Sequence, residues 1–131
     1  MPPTSFEQLA VGYEFPPVTY QLSESVISKY VEAVGGQQDF LASGTVPPLA
    51  IGAYAMNALS QSFSIPPGSI HASQEFEFLK VVSIGTTITC SGKIAQKVER
   101  GRLSLVVLEI NGLNQDGEKV LTGKATVAIP R

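Results

Sequence analysis

Apolar residues change their spacing along this chain, and each change predicts a new element. Phe15 to Leu22 is predicted to form a first strand, with two prolines near its start that suit a sheet edge because proline cannot donate a ladder hydrogen bond. Ser23 then stands at an N-cap position. After it, apolar residues recur at helical spacing and form one face of a helix, which a glycine pair ends. These apolar residues are Val26, Ile27, Tyr30, Val31 and Val34.

A second helix is predicted from Leu49 to Leu59, where the run is apolar on nearly every side. A helix of this kind is buried on most of its faces. Its alanines and glycine allow a sheet to approach closely. Pro47 and Pro48 suit the first turn, because a missing N–H costs nothing there.

Four strands are predicted after this helix, since strand-forming residues recur there between turn signals such as Asp116-Gly117. This order predicts one α+β domain over residues 1–131 with the hot-dog fold, in which a curved antiparallel sheet wraps around a long central helix. A generic α+β sandwich of the same elements is the alternative. The predicted strands are Ile70 to Val82, Thr86 to Val98, Leu103 to Leu113 and Lys119 to Ile129.

Composition adds the expectation of a partner. Apolar residues make up 44% of the chain and charged residues only 15%, which is too few charges to cover the whole surface. Some apolar surface is therefore expected to be buried against a second chain or a ligand. A net charge of −2 gives no basic face for nucleic acid.

The same composition bears on which cofactors and which cellular compartment are expected. With one cysteine and one histidine, neither a metal site nor a cofactor is expected. The first residues lack the pattern of a signal peptide, and no apolar run has membrane-spanning length. The expected compartment is the cytoplasm, with no membrane contact.

Three segments resemble the MaoC-like family of hot-dog hydratases and dehydratases, which act on acyl-CoA or acyl-carrier-protein thioesters. Residues 6–23 are similar to the family's first strand and to the segment that leads into it. Residues 76–86 resemble its Phe-x-x-Pro-Val-x-x-Gly-Asp pattern, and residues 114–125 resemble its closing hairpin. The similarity spans nearly the whole chain, and the order and spacing of the three segments carry it.

The resemblance fails at the family's catalytic loop, which reads roughly Ser-Gly-Asp-x-Asn-Pro-hydrophobic-His. Its aspartate and histidine hold a water between them and move protons by general acid–base catalysis. Here Gly36 falls at the aspartate position and Leu41 at the histidine position. Neither side chain can move a proton, so the resemblance implies a chain without the standard hydratase activity.

The start of the second helix keeps the resemblance. Val46-Pro-Pro-Leu-Ala50 is similar to the substrate-holding, non-catalytic half of two-part dehydratases, where backbone N–H groups polarise the thioester carbonyl. Leu49 and Ala50 would supply those groups here, because the prolines have none. Tyr54 and Asn57 lie one helical step apart and are candidates for the acyl pocket, with a structural hydrogen bond as the alternative.

Two residues are candidates for substitute chemistry. Asp39 lies three positions from the missing aspartate and could replace it, although a loop or Asx-turn role is the alternative. His71, the only histidine, could be a relocated base or a plain strand-end residue.

Three functions follow from these observations. The first is a protein that binds acyl thioesters, as a homodimer or as a heterodimer with a catalytic hot-dog subunit. The second is an active hydratase, dehydratase or thioesterase that uses non-standard residues. The third is a structural dimer whose pocket is filled by side chains.

Overall fold

The computed structural model describes residues 4–5, 10–35, 42–61 and 63–131. Seven strands and two longer helices occupy these ranges. In chain order they are β1 (Thr4–Ser5), β2 (Glu14–Gln21), α1 (Glu24–Ala33), α2 (Pro48–Ser60), β3 (Phe63–Ser64), β4 (Ile70–Phe78), β5 (Thr87–Arg100), β6 (Leu103–Leu113) and β7 (Lys119–Pro130).

The five longer strands form one antiparallel sheet in the order β2-β5-β6-β7-β4. Helix α2 packs against one face of this sheet, so the predicted α+β architecture is confirmed. The short strands β1 and β3 pair in parallel as a separate two-stranded element. Strands β2 and β4 are the two edges of the main sheet.

Strand β4 is shorter than the sequence predicts. It ends at Phe78 rather than Val82, because its partner β7 begins at Lys119 and the ladder between them closes at Phe78 and Leu121. The Leu79 N–H makes one further bond, to the Val120 carbonyl at 2.9 Å. The chain then leaves the sheet.

Helix α1 begins as the sequence predicts. The Ser23 hydroxyl accepts a hydrogen bond from the Val26 N–H at 3.3 Å, which satisfies one of the free donors of the first turn. Ile27 and Val31 are buried. Within the described ranges, no helix is both long and apolar enough to cross a membrane.

The core lies between α2 and the inner face of the sheet. Cys90 is fully buried there, and burial raises the pKa of its thiol to about 11, so it packs as a small apolar residue. The other inward side chains of β5, β6 and β7 are Ile88, Ile94, Val106, Leu108, Ile110, Leu121, Ala125, Val127 and Ile129.

The outer face of the sheet is polar, and one row of alternating charge crosses all five strands. The Lys93 Nζ lies 3.6 Å from the Glu109 Oε2, and opposite charges across strands are favourable. Solvent therefore suits this face, whereas the apolar face lies toward α2. In strand order the row reads Glu14, Lys93, Glu109, Lys124 and Glu75, each the register partner of the next.

Close approach of α2 to the sheet depends on Gly52. A Cβ at this position would lie 2.8 Å from Phe76 Cε2, closer than carbon atoms pack. We expect Gly52→Leu to lower the free energy of unfolding by about 1–3 kcal/mol through overpacking. Urea denaturation measures this change.

Ala53 provides the matched control, because it is the next residue of the same helix and is exposed. Ala53→Leu should leave the urea midpoint nearly unchanged. An unchanged midpoint in Gly52→Leu would mean that Phe76 can move away at no cost.

Candidate functional site

An apolar groove of about 280 Å³ lies between the first turn of α2 and the segment that follows β4. Two backbone hydrogen bonds fix its walls: the Val46 N–H donates to the Val82 carbonyl and the Ile84 N–H to the Gly44 carbonyl, both at 2.8 Å. Its lining is apolar except for one threonine and one lysine. The lining residues are Thr45, Val46, Pro48, Ile51, Phe78, Leu79, Lys80, Val81 and Val82.

The start of α2 presents one free backbone donor beside this groove. Pro47 caps the helix without a side-chain hydrogen bond, and Pro48 has no N–H. The Ala50 N–H donates to the Pro47 carbonyl at 2.9 Å. Among the described residues, none accepts a hydrogen bond from the Leu49 N–H. Of the two donors predicted from the sequence, Leu49 is the one that remains available for a ligand.

Exposed apolar side chains surround the groove. Leu49 is 63% exposed and Val81 is 82% exposed, and Leu79 and Phe78 are also open to solvent. Large exposed apolar patches are rare on monomeric soluble proteins, and where they occur they often mark a binding surface. Part of the exposed apolar surface that composition predicts therefore lies at the mouth of the groove.

Tyr54 and Asn57 face another side of α2, toward Tyr20 on the edge strand β2. Asn57 Nδ2 donates to the Tyr20 hydroxyl at 3.0 Å, and the Tyr20 and Tyr54 rings lie 4.9 Å apart. Burial raises the pKa of the Tyr54 hydroxyl, and Tyr20 raises it further, so this hydroxyl keeps its proton near neutral pH. Asn57 thus makes a structural hydrogen bond. A role for either residue in the acyl pocket stays a prediction.

The structure places the candidate base His71 away from the groove. Its Nε2 lies 3.0 Å from Gln74 Oε1, and its side chain is exposed. It lies seven positions before Phe78 on the same strand, which corresponds to roughly 20 Å within the chain. Asp39 lies outside the described residues, as do Gly36 and Leu41.

A wider depression of about 1120 Å³ lies on the outer face of the sheet. Its walls carry the alternating charge row, together with Thr89, Ser91, Asn111 and Thr122. Because this row alternates three glutamates with two lysines, the surface is polar and has no cluster of positive charge, so it fits neither an apolar chain nor an anion. The smaller groove is therefore the candidate site despite its size.

The described lining of the groove offers an apolar surface and few groups for chemistry. None of the described lining residues is an acid or a histidine, and in the described part of the chain no group of three His, Cys, Asp or Glu side chains could hold a metal. Residues in the groove can exclude water, and the Leu49 N–H lies one residue along the helix from Pro48 of the lining. The described lining residues cannot transfer a proton in the way that a carboxylate–histidine pair does.

Sequence reasoning missed two features of this region. Tyr20, the acceptor for Asn57, occupies an inward position of β2 that the alternation of that strand could have indicated. The sequence pattern predicts a strand from Leu79 to Val82, whereas in the structure this segment forms a wall of the groove. The pattern does not indicate that apolar side chains of this segment are exposed.

Comparisons with known proteins place this geometry in a family. The model of the FAS1-like dehydratase domain region matches residues 9–123. A search of curated proteins finds no match. Several solved structures share the fold across nearly the whole chain at 18–19% sequence identity.

Three of these structures are informative. The (R)-hydratase from A. caviae involved in PHA biosynthesis has a TM-score of 0.76 at 18% identity, covering 95% of this chain and 99% of that chain. The MaoC-like dehydratase from Rhodospirillum rubrum has a TM-score of 0.75 at 19% identity, covering 96% of each chain. A chain of the HadBC (3R-hydroxyacyl-ACP dehydratase) complex from Mycobacterium tuberculosis has a TM-score of 0.71 at 19% identity, covering 90% of this chain and 96% of that chain. The chain belongs to the FAS1-like dehydratase region family and has the MaoC-like hot-dog fold.

Proposed function

We propose that this chain binds short acyl thioesters, of coenzyme A or of an acyl-carrier protein, in the groove at the start of α2, and that it lacks the hydratase activity of its relatives. The observation that carries the proposal is the Leu49 N–H, which donates to none of the described residues and lies one residue from Pro48 in the lining of an apolar groove. A thioester carbonyl suits a backbone donor at a helix N-terminus. The apolar lining suits the acyl chain.

The size of the groove supports a short acyl group. Sites for drug-sized ligands span about 300–1,000 Å³, and this groove lies just below that range. Its openness to solvent on the side of Val81 leaves part of any ligand uncovered. A second hot-dog chain would cover it, so the proposal includes a partner.

The free edge of β4 is the surface that we assign to this partner. An unpaired edge strand presents a row of free N–H and C=O groups that can accept another strand. The other edge, β2, contains Pro16 and Pro17 and shifts register between Phe15 and Val18, which hinders further pairing. Strand β4 has no proline. It also leads directly into the exposed apolar patch at Leu79 and Val81.

Native mass spectrometry of the chain with a panel of acyl-CoAs tests both parts of the proposal. We expect a mass of two chains at micromolar concentration, with acetyl- to hexanoyl-CoA bound and free coenzyme A bound more weakly. A homodimer is expected in the absence of other proteins, and a catalytic hot-dog subunit could replace one copy. A dimer that binds no thioester would favour the structural alternative and contradict the proposal.

Val81→Asp separates assembly from folding. Val81 is largely exposed in the single chain, so a charge there should leave the monomer folded but oppose burial against a partner. Val11→Asp is the matched control, since Val11 is an exposed valine next to the opposite sheet edge. A Val81→Asp variant with an unchanged dimer mass would show that the interface lies elsewhere.

The cytoplasmic location stays a prediction.

A further inference from the structure

The Phe76 ring occupies the space between α2 and the sheet where two glycines leave room for it. Phe76 lies on the inner face of β4, and its register partner on β7 is Gly123. A Cβ at Gly52 would lie 2.8 Å from Phe76 Cε2, and a Cβ at Gly123 would lie 2.9 Å from Phe76 Cδ1. The ring therefore touches the helix backbone on one side and the strand backbone on the other.

This ring lies directly behind the groove. Phe78 is the next inward residue of β4 and lines the groove, and the centroids of the Phe76 and Phe78 rings are 5.8 Å apart. Ile51, which also lines the groove, is the helical neighbour of Gly52. A ligand chain that extends from the groove into the space beneath α2 would thus pass Phe78 and contact Phe76.

We propose that Phe76 sets the length of the acyl chain that the groove accepts. This inference rests on the proposed function and adds its substrate class: thioesters of short, unbranched acyl groups. The Phe76 ring fills the space between Gly52 and Gly123, so a chain that extends beyond Phe78 has no apolar space to enter. Longer acyl groups must leave their ends in solvent, where added methylenes gain nothing.

Removal of the ring leaves both glycines in place. Phe76→Ala would then open an apolar space whose walls are helix and strand backbone with no Cβ atoms. Apolar cavities of this kind stay dry and accept apolar molecules. An acyl chain could therefore extend into the variant by several carbons.

Calorimetric titration with acyl-CoAs of two to twelve carbons tests the proposal. In the wild-type protein, affinity should peak at about four to six carbons. In Phe76→Ala the peak should shift by at least two carbons, with octanoyl-CoA bound at least about tenfold more tightly than by the wild type, since a single methylene in an apolar pocket changes specificity by about that factor. Phe76→Leu, which keeps a half-buried apolar side chain, should shift the profile less in the same direction.

Phe15→Ala is the matched control, because Phe15 is a buried aromatic residue on the opposite edge strand. It should lose stability and keep the wild-type length profile. The same length profile in wild type and both Phe76 variants would overturn the proposal.

A second measurement keeps this inference separate from the proposed function. If the wild type binds no acyl-CoA of any length, the proposed function fails. Crystals of Phe76→Ala under xenon pressure then decide whether the ring is the block. Xenon between Gly52 and Gly123, continuous with the groove and absent from the wild type, supports the inference; a collapsed space contradicts it.

Discussion

Replacing Gly92 with alanine is expected to destabilise the fold by about 3 kcal/mol, the upper end of the usual cost of overpacking. Gly92 is buried on β5, where the Leu59 side chain of α2 packs against the strand. A Cβ there would lie 2.6 Å from the Glu109 carbonyl oxygen and 2.8 Å from Leu59 Cδ2. The carbonyl belongs to the backbone of the neighbouring strand, so it cannot move without breaking the ladder. Domains are stable by only about 5–15 kcal/mol, which makes this a large loss.

Gly112→Ala is the control for this prediction. Gly112 is also buried and extended, and it lies on β6, but a Cβ there would meet Leu121 Cβ only at 3.4 Å, an ordinary contact. A glycine replaced where the backbone suits alanine gains about 0.4–1 kcal/mol from a more restricted unfolded state. Urea denaturation should therefore move the two midpoints in opposite directions. Equal effects would contradict the close approach of Leu59 to β5.

The order of elements could be predicted from the sequence because each signal is local. Ser23 caps α1 through a bond to a residue only three positions away. The turn at Gly117, which has a φ of +79°, adopts the left-handed backbone that Asp-Gly favours. The alternation of Phe76 and Phe78 with Glu75 and Glu77 fixes which face of β4 meets the core. A one-residue shift would bury the carboxylates.

The end of β4 could not be predicted, because it depends on a partner far away in sequence. Leu79 to Val82 is as apolar as the strand before it. Only the start of β7 at Lys119 decides where the ladder stops. The groove exists because this apolar segment leaves the sheet while Val46 and Val82 hold it beside α2. Local patterns carry no information on such pairing.

The candidate site, too, could be predicted from the sequence only in part. Prolines at 47 and 48 predict the helix start, and neither has an N–H to donate, so both features follow from the sequence. That the Ala50 N–H is already bonded to the Pro47 carbonyl, leaving Leu49, required the geometry of the first turn. The role of Gly52 and Gly123 as the two walls around Phe76 also required the structure, since 71 residues separate them along the chain.

The purified chain is expected to hydrate crotonyl-CoA no faster than the buffer does. General acid–base assistance contributes about a hundred- to ten-thousand-fold, and it requires a titratable group within hydrogen-bond reach of the attacking water. Gly36 and Leu41 supply none at the two positions where the MaoC-like pattern has its aspartate and histidine. Those residues of the groove lining that the structure describes include no acid or histidine either. Loss of the enoyl absorbance with time measures the rate, with an intact MaoC-like hydratase as the positive control.

The double variant Gly36→Asp with Leu41→His tests whether the two missing side chains alone account for the expected inactivity. We expect it to recover at most a small fraction of the activity of the control, because Val34, Gln38 and Asp39 also stand where the family's loop has serine, asparagine and proline. A misplacement of about one ångström can cost a hundredfold in rate. Brisk turnover by the unmodified chain would contradict the non-catalytic interpretation, and Asp39→Asn and His71→Gln would then locate the base. Of these two, His71 lies roughly 20 Å from the groove within its own chain. A rate that falls only in His71→Gln would therefore mean that the working site includes a second copy.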